Sequence, residues 1–208
     1  MDESHDVLVN NLIQRLDELK IMIGDVLMEN AENLEDTVDY IAIIISVAME
    51  EIYELAWYGE LDTAGIGDDI RPTERQIQDC INQPVGDMTL TERINGYIAE
   101  TDNEVPVSTI IDKIKSAVED DGFRVYENAV LECGLALDDE GYIVTKTWNA
   151  IIDEVTRETH FELNGTTIPV DEYFVTSGGA AALAPKMFGV PSEDIHCRCV
   201  ITLNVEGG

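Results

Sequence analysis

Residues 146–160 read KTWNAIIDEVTRETH, residues 163–165 read LNG, and residues 196–199 read HCRC. The segment from 146 to 199 contains one of the two tryptophans, two of the three histidines and two of the four cysteines. The rest of the chain has mostly the pattern of acidic helices. Because tryptophan, histidine and cysteine supply much of the chemistry of protein sites, we expect any specific function of the chain to involve this segment.

The chain is strongly acidic. Its 208 residues include 43 acidic and 12 basic side chains, which gives a net charge of −31 at pH 7. Such a charge repels nucleic acid and anionic membranes, so direct binding to either is not expected. Three explanations of the charge stay open: adaptation to high salt, where screening shortens the reach of self-repulsion, docking onto a basic partner, and mimicry of nucleic acid.

Neither the N-terminal residues nor the cysteine content indicates secretion. The N-terminus lacks the basic and then apolar pattern of a signal peptide. The longest apolar run, residues 41–49, falls short of the roughly 20 residues that a membrane-spanning helix needs. Four cysteines in such a chain predict no disulfide framework, and Cys80 and Cys133 are expected to be buried thiols of the core.

The first 72 residues predict two helices and a linker. Apolar residues at three- and four-residue steps predict a helix over residues 4–30 and a second over residues 34–58, with Gly59 as its C-cap. Together they form a helical hairpin over residues 1–58, which is either part of a structural bundle or an exposed docking pair. Glycine, proline and aspartate mark residues 59–72 as a linker.

Residues 73–137 are predicted to be a helical region. Thr89 and Glu92 have the spacing of a capping box at a helix start. Gly122 is expected to interrupt the last part of the region. The predicted helices cover residues 73–82, 89–100, 107–120 and 123–137.

Residues 138–208 are predicted to be a small α+β module. We expect strands at residues 142–145 and 200–203 and a helix over residues 148–159. Asn164-Gly165 favours a β-hairpin over residues 161–168. The fold class is therefore α+β and predominantly α-helical.

On the predicted helix, two sets of side chains fall on opposite faces. One set is Trp148, Ile152, Val155 and Thr159, and the other is Asn149, Asp153, Arg157 and His160. The polar set is either a solvated stripe with an Asp153–Arg157 pair, contributing about 0.3–0.5 kcal/mol, or a polar cluster at a site.

The Cys-X-Cys sequence near the end of the chain raises the question of a metal. Structural zinc is held by four nitrogen or sulfur ligands, and His160, His196, Cys197 and Cys199 would supply four. The spacing differs from the usual Cys-X2-Cys, so strand-edge thiols and redox chemistry stay open as alternatives, and no other cofactor is expected.

The ordered set of motifs resembles the C-terminal module of the phage Mu F-like minor head proteins. Its members are Trp148, Asp153, Arg157, His160, Asn164-Gly165, Phe174, a proline-containing approach at residues 189–194, Cys197, Arg198 and Cys199. Upstream, residues 90–94 and 123–132 resemble further family segments, so the resemblance covers about residues 85–203. The family has asparagine where this chain has His196.

This resemblance implies a structural virion protein without enzymatic activity. It would be present in few copies in the head interior or at the portal vertex, and in the host cytoplasm during assembly. Its partners would be portal and capsid proteins, with no small-molecule substrate, and its role would lie in head assembly and sometimes in DNA delivery. A virion from a high-salt host would explain the acidity. Some relatives fuse the module to toxin or enzyme domains.

Two other functions stay open. One is a nuclease-like or transferase-like effector enzyme, in which His160 acts as general base and Arg157 stabilises a phosphate. The net charge opposes an anionic substrate. The other is an interaction module stabilised by zinc.

Overall fold

The computed structural model describes residues 3–103, 105–154 and 156–207. In this part of the chain, five helices precede a small sheet, which confirms the predominantly helical α+β fold. Two 3-10 turns, Leu34–Thr37 and Glu100–Asn103, follow the first and fourth helices. The helices are α1 Glu3–Glu29, α2 Val38–Thr63, α3 Glu74–Ile81, α4 Leu90–Ala99 and α5 Val107–Asp139.

Helix α5 is the centre of the helical part. It packs against α1, α2 and α4, and also against the sheet. The apolar row of α1, from Leu12 through Leu16 to Ile23, recurs at helical spacing and is fully buried. Buried side chains from all these elements form one hydrophobic core. The division of the chain at residues 58, 72 and 137 stays a prediction.

Two glycines predicted to end or interrupt helices lie inside them instead. Helix α2 runs past Gly59 to Thr63 and is capped by Ala64, so the first residues of the predicted linker are helical. Helix α5 is continuous through Gly122. A Cβ atom at Gly59 would lie 2.4 Å from Cδ2 of Leu8, and one at Gly122 would lie 2.3 Å from Cδ2 of Leu16. Both glycines therefore permit close approach of α1.

Gly122→Ala is expected to destabilise the protein by up to about 2 kcal/mol. The new methyl group must displace the buried Leu16, which costs roughly 1–3 kcal/mol, and the better helix propensity of alanine offsets about 1 kcal/mol. Gly96→Ala in α4 is the matched control. Because open space surrounds Gly96, that change should stabilise the protein by about 0.5–1 kcal/mol. Urea unfolding measures the stability change of both variants. If the two changes had the same size and the same sign, the packing role of Gly122 would be contradicted.

The C-terminal part forms two small antiparallel sheets. Its helices are α6 Glu158–Leu163 and α7 Pro191–Asp194. Strands β1, β2 and β5 form one sheet in the order β2-β1-β5, and β3 pairs with β4. The strands are β1 Ile143–Asn149, β2 Thr167–Pro169, β3 Phe174–Val175, β4 Ala181–Ala182 and β5 Val200–Glu206. The predicted strands at 142–145 and 200–203 are confirmed, and both extend further than predicted.

Two predictions in this part are wrong. Residues 148–159 do not form one helix, because Trp148 and Asn149 end β1 and helix α6 begins only at Glu158. Val155 lies outside the described residues. Residues 161–168 do not form a β-hairpin, because residues 161–163 belong to α6. Asn164 and Gly165 form the turn between α6 and β2, with a φ of 79° at Gly165. Strand β1 pairs with β5 over its whole length, with Trp148 opposite Ile201.

Two buried carboxylates cover the outer edge of β5. The N–H of Ile201 donates to Oε2 of Glu127 at 3.0 Å, and the N–H of Leu203 donates to Oε2 of Glu60 at 3.3 Å. Glu127 lies on α5 and Glu60 on α2, and both are buried. The strand edge is therefore hydrogen-bonded to the helices, which prevents it from pairing with another chain.

Glu127→Gln is expected to stabilise the protein increasingly as the pH rises. Burial raises the pKa of Glu127 well above its ordinary value of 4.5, and the N–H of Ile201 opposes the shift. Above about pH 4.5 the unfolded chain therefore loses a proton that the folded protein keeps, and stability falls with pH by up to about 1.4 kcal/mol per unit. Glutamine does not titrate, so its advantage should grow between about pH 5 and pH 7.

Urea unfolding of wild type and Glu127→Gln across this pH range measures the difference in their free energies of unfolding. The titration of the other carboxylates is largely the same in both proteins and cancels in this difference. Glu127→Leu is the comparison for the hydrogen bond. It leaves the N–H of Ile201 unpaired and should be less stable than the glutamine variant by about 1–3 kcal/mol. A difference between wild type and the glutamine variant that does not change with pH would contradict the raised pKa.

Candidate functional site

His160, Cys197 and Cys199 converge in the C-terminal module, and we call them the His–Cys–Cys group. Nδ1 of His160 lies 3.4 Å from Sγ of Cys197 and 3.5 Å from Sγ of Cys199. The three potential ligand atoms all lie within 4.8 Å of one another. All three residues are buried, and both cysteines are free thiols.

Different elements bring these side chains together. His160 lies on α6, and the two cysteines lie just before β5. Pairing of β5 with β1 fixes the position of Cys199, and the loop from β1 carries the chain to α6. Cys197 and Cys199 are two residues apart, and the sulfurs of both lie against Nδ1 of His160. The group therefore depends on strand pairing over about 50 residues of sequence.

Aromatic rings surround the imidazole of His160. The Trp148 ring meets it edge-on, with centroids 5.3 Å apart, and the Phe188 ring stacks on it at 5.6 Å. Phe174 packs against Trp148 at 5.2 Å. The prediction that Trp148 and His160 lie on opposite faces is wrong, because it depended on a helix that does not form. The rings exclude water from one side of the group.

Glu193 of α7 lies beside the other nitrogen of His160. Its Oε2 atom lies 3.0 Å from Nε2 of His160, although the ring N–H does not point at it with hydrogen-bond geometry. Thr159 donates a hydrogen bond of 3.1 Å to the same oxygen. A carboxylate at Nε2 favours the tautomer with its proton on Nε2, which leaves the lone pair of Nδ1 facing the two sulfurs.

The two thiols differ in acidity. A hydrogen bond from Cys199 lowers the pKa of Cys197 to about 5, with a further contribution from His160, although burial opposes the shift. The same pairing and burial raise the pKa of Cys199. The group therefore favours one thiolate at neutral pH.

The predicted polar residues near the group have structural partners. Arg157 donates from Nε to the carbonyl of Ser192 and from Nη2 to the carbonyl of Ile195. Asp153 forms an ion pair with Arg198, so the helical Asp153–Arg157 pair predicted from spacing is wrong. These contacts join the loop after β1 to the segment that contains α7 and the cysteines.

The ring of His196 does not join the His–Cys–Cys group, although the residue also lines the cavity beside it. Its side chain is 70% exposed, and its Nδ1 lies 3.7 Å from Asp120 of α5. Its backbone has a φ of 56°, and its N–H donates to Asp120 at 2.9 Å. The asparagine of the family pattern tolerates this left-handed conformation well, and His196 adopts it here.

Two contributors to the site were not identified from the sequence. Glu193 looks like an ordinary acidic residue in the first turn of a short helix, and Phe188 lies in a loop without periodicity. The only signal for Glu193 was its place in the proline-containing segment ahead of the cysteines.

Beside the group is a cavity of about 20 Å³, and Asp153, Thr156 and Arg157 contribute to its lining.

Comparison with known proteins agrees with the motif order. The model of the family described as "Phage Mu protein F like protein" matches residues 91–202. A 67-residue segment is 49% identical to NAD(+)–arginine ADP-ribosyltransferase EFV of Enterococcus faecalis, covering 32% of this chain and 14% of that protein. A 62-residue segment is 34% identical to minor head protein GP7 of Bacillus phage SPP1, covering 30% of this chain and 20% of that protein.

The chain thus corresponds to a small part of either relative. No solved structure matches it significantly. None of the helices in the described ranges combines the length and the apolar composition needed to cross a lipid bilayer. The matched segment contains α5, strands β1 to β4, the first residues of β5 and the whole His–Cys–Cys group, and it spans more than half of the sequence. The chain therefore belongs to the phage Mu protein F-like family.

Proposed function

We propose that the chain is a structural minor head protein of a tailed phage or prophage, associated with the portal vertex and acting in head assembly and genome delivery. The family match over residues 91–202 carries the proposal. The similarity to the minor head protein of phage SPP1 supports it. The net charge of −31 favours a role in delivery through protein contacts rather than through binding of DNA.

The contacts of the candidate catalytic residues support a role without enzymatic activity. His160 is buried, with sulfurs at Nδ1 and a carboxylate at Nε2, so neither nitrogen faces a substrate. Arg157 is held by two backbone carbonyls. The similarity to an ADP-ribosyltransferase covers 14% of that protein, which fits a shared module joined there to another domain.

Helices α1 and α2 lie upstream of the family match and supply the proposed portal-docking surface. Tyr40, Ile43 and Val47 are spaced along α2 at three- and four-residue steps and are 57%, 62% and 50% exposed. An apolar stripe of this kind on an otherwise acidic helix is typical of a protein–protein contact. We assign this stripe to the portal protein.

The test is co-purification with the portal oligomer from cells that express both proteins. We expect wild type to be retained and Ile43→Glu with Val47→Glu to be lost. Ile152→Glu is the matched control, because Ile152 is 60% exposed in the C-terminal module. Circular dichroism and urea unfolding check that all variants fold.

Phage particles lacking the gene test the role in the virion. We expect heads that fail to assemble or to infect. Particles that assemble and infect normally without the protein would overturn the proposal, as would NAD-dependent modification of host proteins by the purified chain.

A further inference from the structure

We propose that the His–Cys–Cys group binds one zinc ion, with Nδ1 of His160 and the sulfurs of Cys197 and Cys199 as its protein ligands. This inference does not depend on the proposed role in the virion. It differs from the four-ligand set expected from the sequence, because His196 lies on the other side of its segment beside Asp120.

The distances between the ligand atoms suit zinc. Zn–S bonds of about 2.3 Å and Zn–N bonds of about 2.0–2.1 Å, at a tetrahedral angle, separate a ligand sulfur from a ligand nitrogen by about 3.5–3.6 Å. The observed separations from Nδ1 of His160 are 3.4 Å to Cys197 and 3.5 Å to Cys199. The ion therefore fits between these atoms with only small movements.

The charge balance favours a metal at this buried position. Two thiolates carry a charge of −2, which Zn²⁺ neutralises, and the imidazole binds in its neutral form. Sulfur and imidazole ligands together select zinc over magnesium and calcium.

Glu193 supplies the outer contact that zinc-binding histidines usually have. A ligand histidine typically presents its second ring nitrogen to a carboxylate, which orients the ring and raises its basicity. Oε2 of Glu193 lies 3.0 Å from Nε2 of His160, close enough for this contact once the ring turns its N–H toward the carboxylate. Glu193 is thus a positioning residue and not a ligand.

His160, Cys197 and Cys199 all line the cavity beside the group, and we assign the fourth coordination position to it. Its volume of about 20 Å³ has room for one water molecule. Asp153 and Arg157 line the cavity, where Asp153 pairs with Arg198 and Arg157 donates to two backbone carbonyls. We assign the fourth position to a water molecule, so that the ion joins α6 to the segment just before β5.

Metal analysis of the full chain, purified from zinc-supplemented medium without a chelator, tests the proposal. We expect one zinc ion per chain, and a tetrahedral thiolate–cobalt spectrum after exchange with Co²⁺. Zinc removal should lower the melting temperature, and zinc addition should restore it. A purified chain with zinc content far below one per chain, or one with a Cys197–Cys199 disulfide in reducing buffer, would overturn the proposal.

Matched variants test the ligand set. Cys197→Ser with Cys199→Ser, and His160→Asn, should lose the metal, whereas Cys80→Ala and His196→Ala should retain it. Glu193→Gln should keep the fold and weaken zinc affinity by about 10–100-fold. This variant therefore still tests the zinc site if the ligand variants fail to fold. Equal loss of zinc in His196→Ala and His160→Asn would overturn the assignment of ligands, and unchanged affinity in Glu193→Gln would overturn the role of Glu193.

Discussion

Trp148→Ala is expected to lower the free energy of unfolding by about 3–5 kcal/mol, the usual cost of removing a large buried aromatic ring. Trp148 is fully buried and contacts three rings, those of His160, Phe174 and Phe188. Its loss opens a cavity between β1 and the His–Cys–Cys group, which the short strands β3 and β4 cannot fill. Chemical denaturation followed by circular dichroism measures the change.

Two further variants separate packing from the mere presence of an aromatic residue. Trp148→Phe should cost less than Trp148→Ala, because a smaller ring keeps part of the contact with His160 and Phe174. Phe161→Ala is the surface control, since Phe161 is 55% exposed and its truncation should cost no more than about 0.5 kcal/mol. If Trp148→Ala cost as little as Phe161→Ala, Trp148 would not be the packing centre of the module.

The helical half of the fold could be predicted because its signals are local. The apolar row of α1 repeats within one segment, and the capping box predicted for Thr89 and Glu92 is confirmed, because it needs only bonds between residues three apart. Gly59 and Gly122 were misinterpreted, since a glycine that admits a neighbouring helix has the same local sequence as one that ends a helix.

The C-terminal module was harder to predict, since its strands pair with distant residues. Trp148 lies in a strand because it pairs opposite Ile201. The sequence of residues 146–160 alone contains no information about that distant partner. The spacing of residues 148–159 also matched a helical period, so the local signal was misleading. His160, Cys197 and Cys199 were identified from residue type, but Glu193 came from tertiary structure alone.

Arg93 illustrates a motif whose role only the structure explains. It lies in the segment 90–94 that resembles the family pattern, and its Nη2 donates to Asp121 of α5. Asp121 also accepts from Arg124, at 2.9 Å from Nε and 2.8 Å from Nη2. Arg124 in turn donates to the carbonyl of Cys80 at 2.8 Å. One buried carboxylate thus joins α3, α4 and α5 at the wall of a cavity of about 580 Å³.

Asp121→Ala is therefore expected to destabilise the protein by about 3–5 kcal/mol, because it leaves two guanidinium groups without their carboxylate. The side chain of Asp121 is 1% exposed, and those of Arg124 and Arg93 are 7% and 13% exposed. Asp121→Asn should cost less, since its amide oxygen still accepts a hydrogen bond.

Asp79→Ala is the matched control. Asp79 pairs with Arg75 one helical turn away, but their side chains are 70% and 89% exposed, so its loss should change stability by no more than about 0.5 kcal/mol. A double-mutant cycle completes the test: Asp121→Ala with Arg93→Ala should cost less than the sum of the single changes, because fewer unpaired charges remain buried. Strict additivity, or a cost of Asp121→Ala equal to that of Asp79→Ala, would mean that the three helices are held together by apolar packing alone.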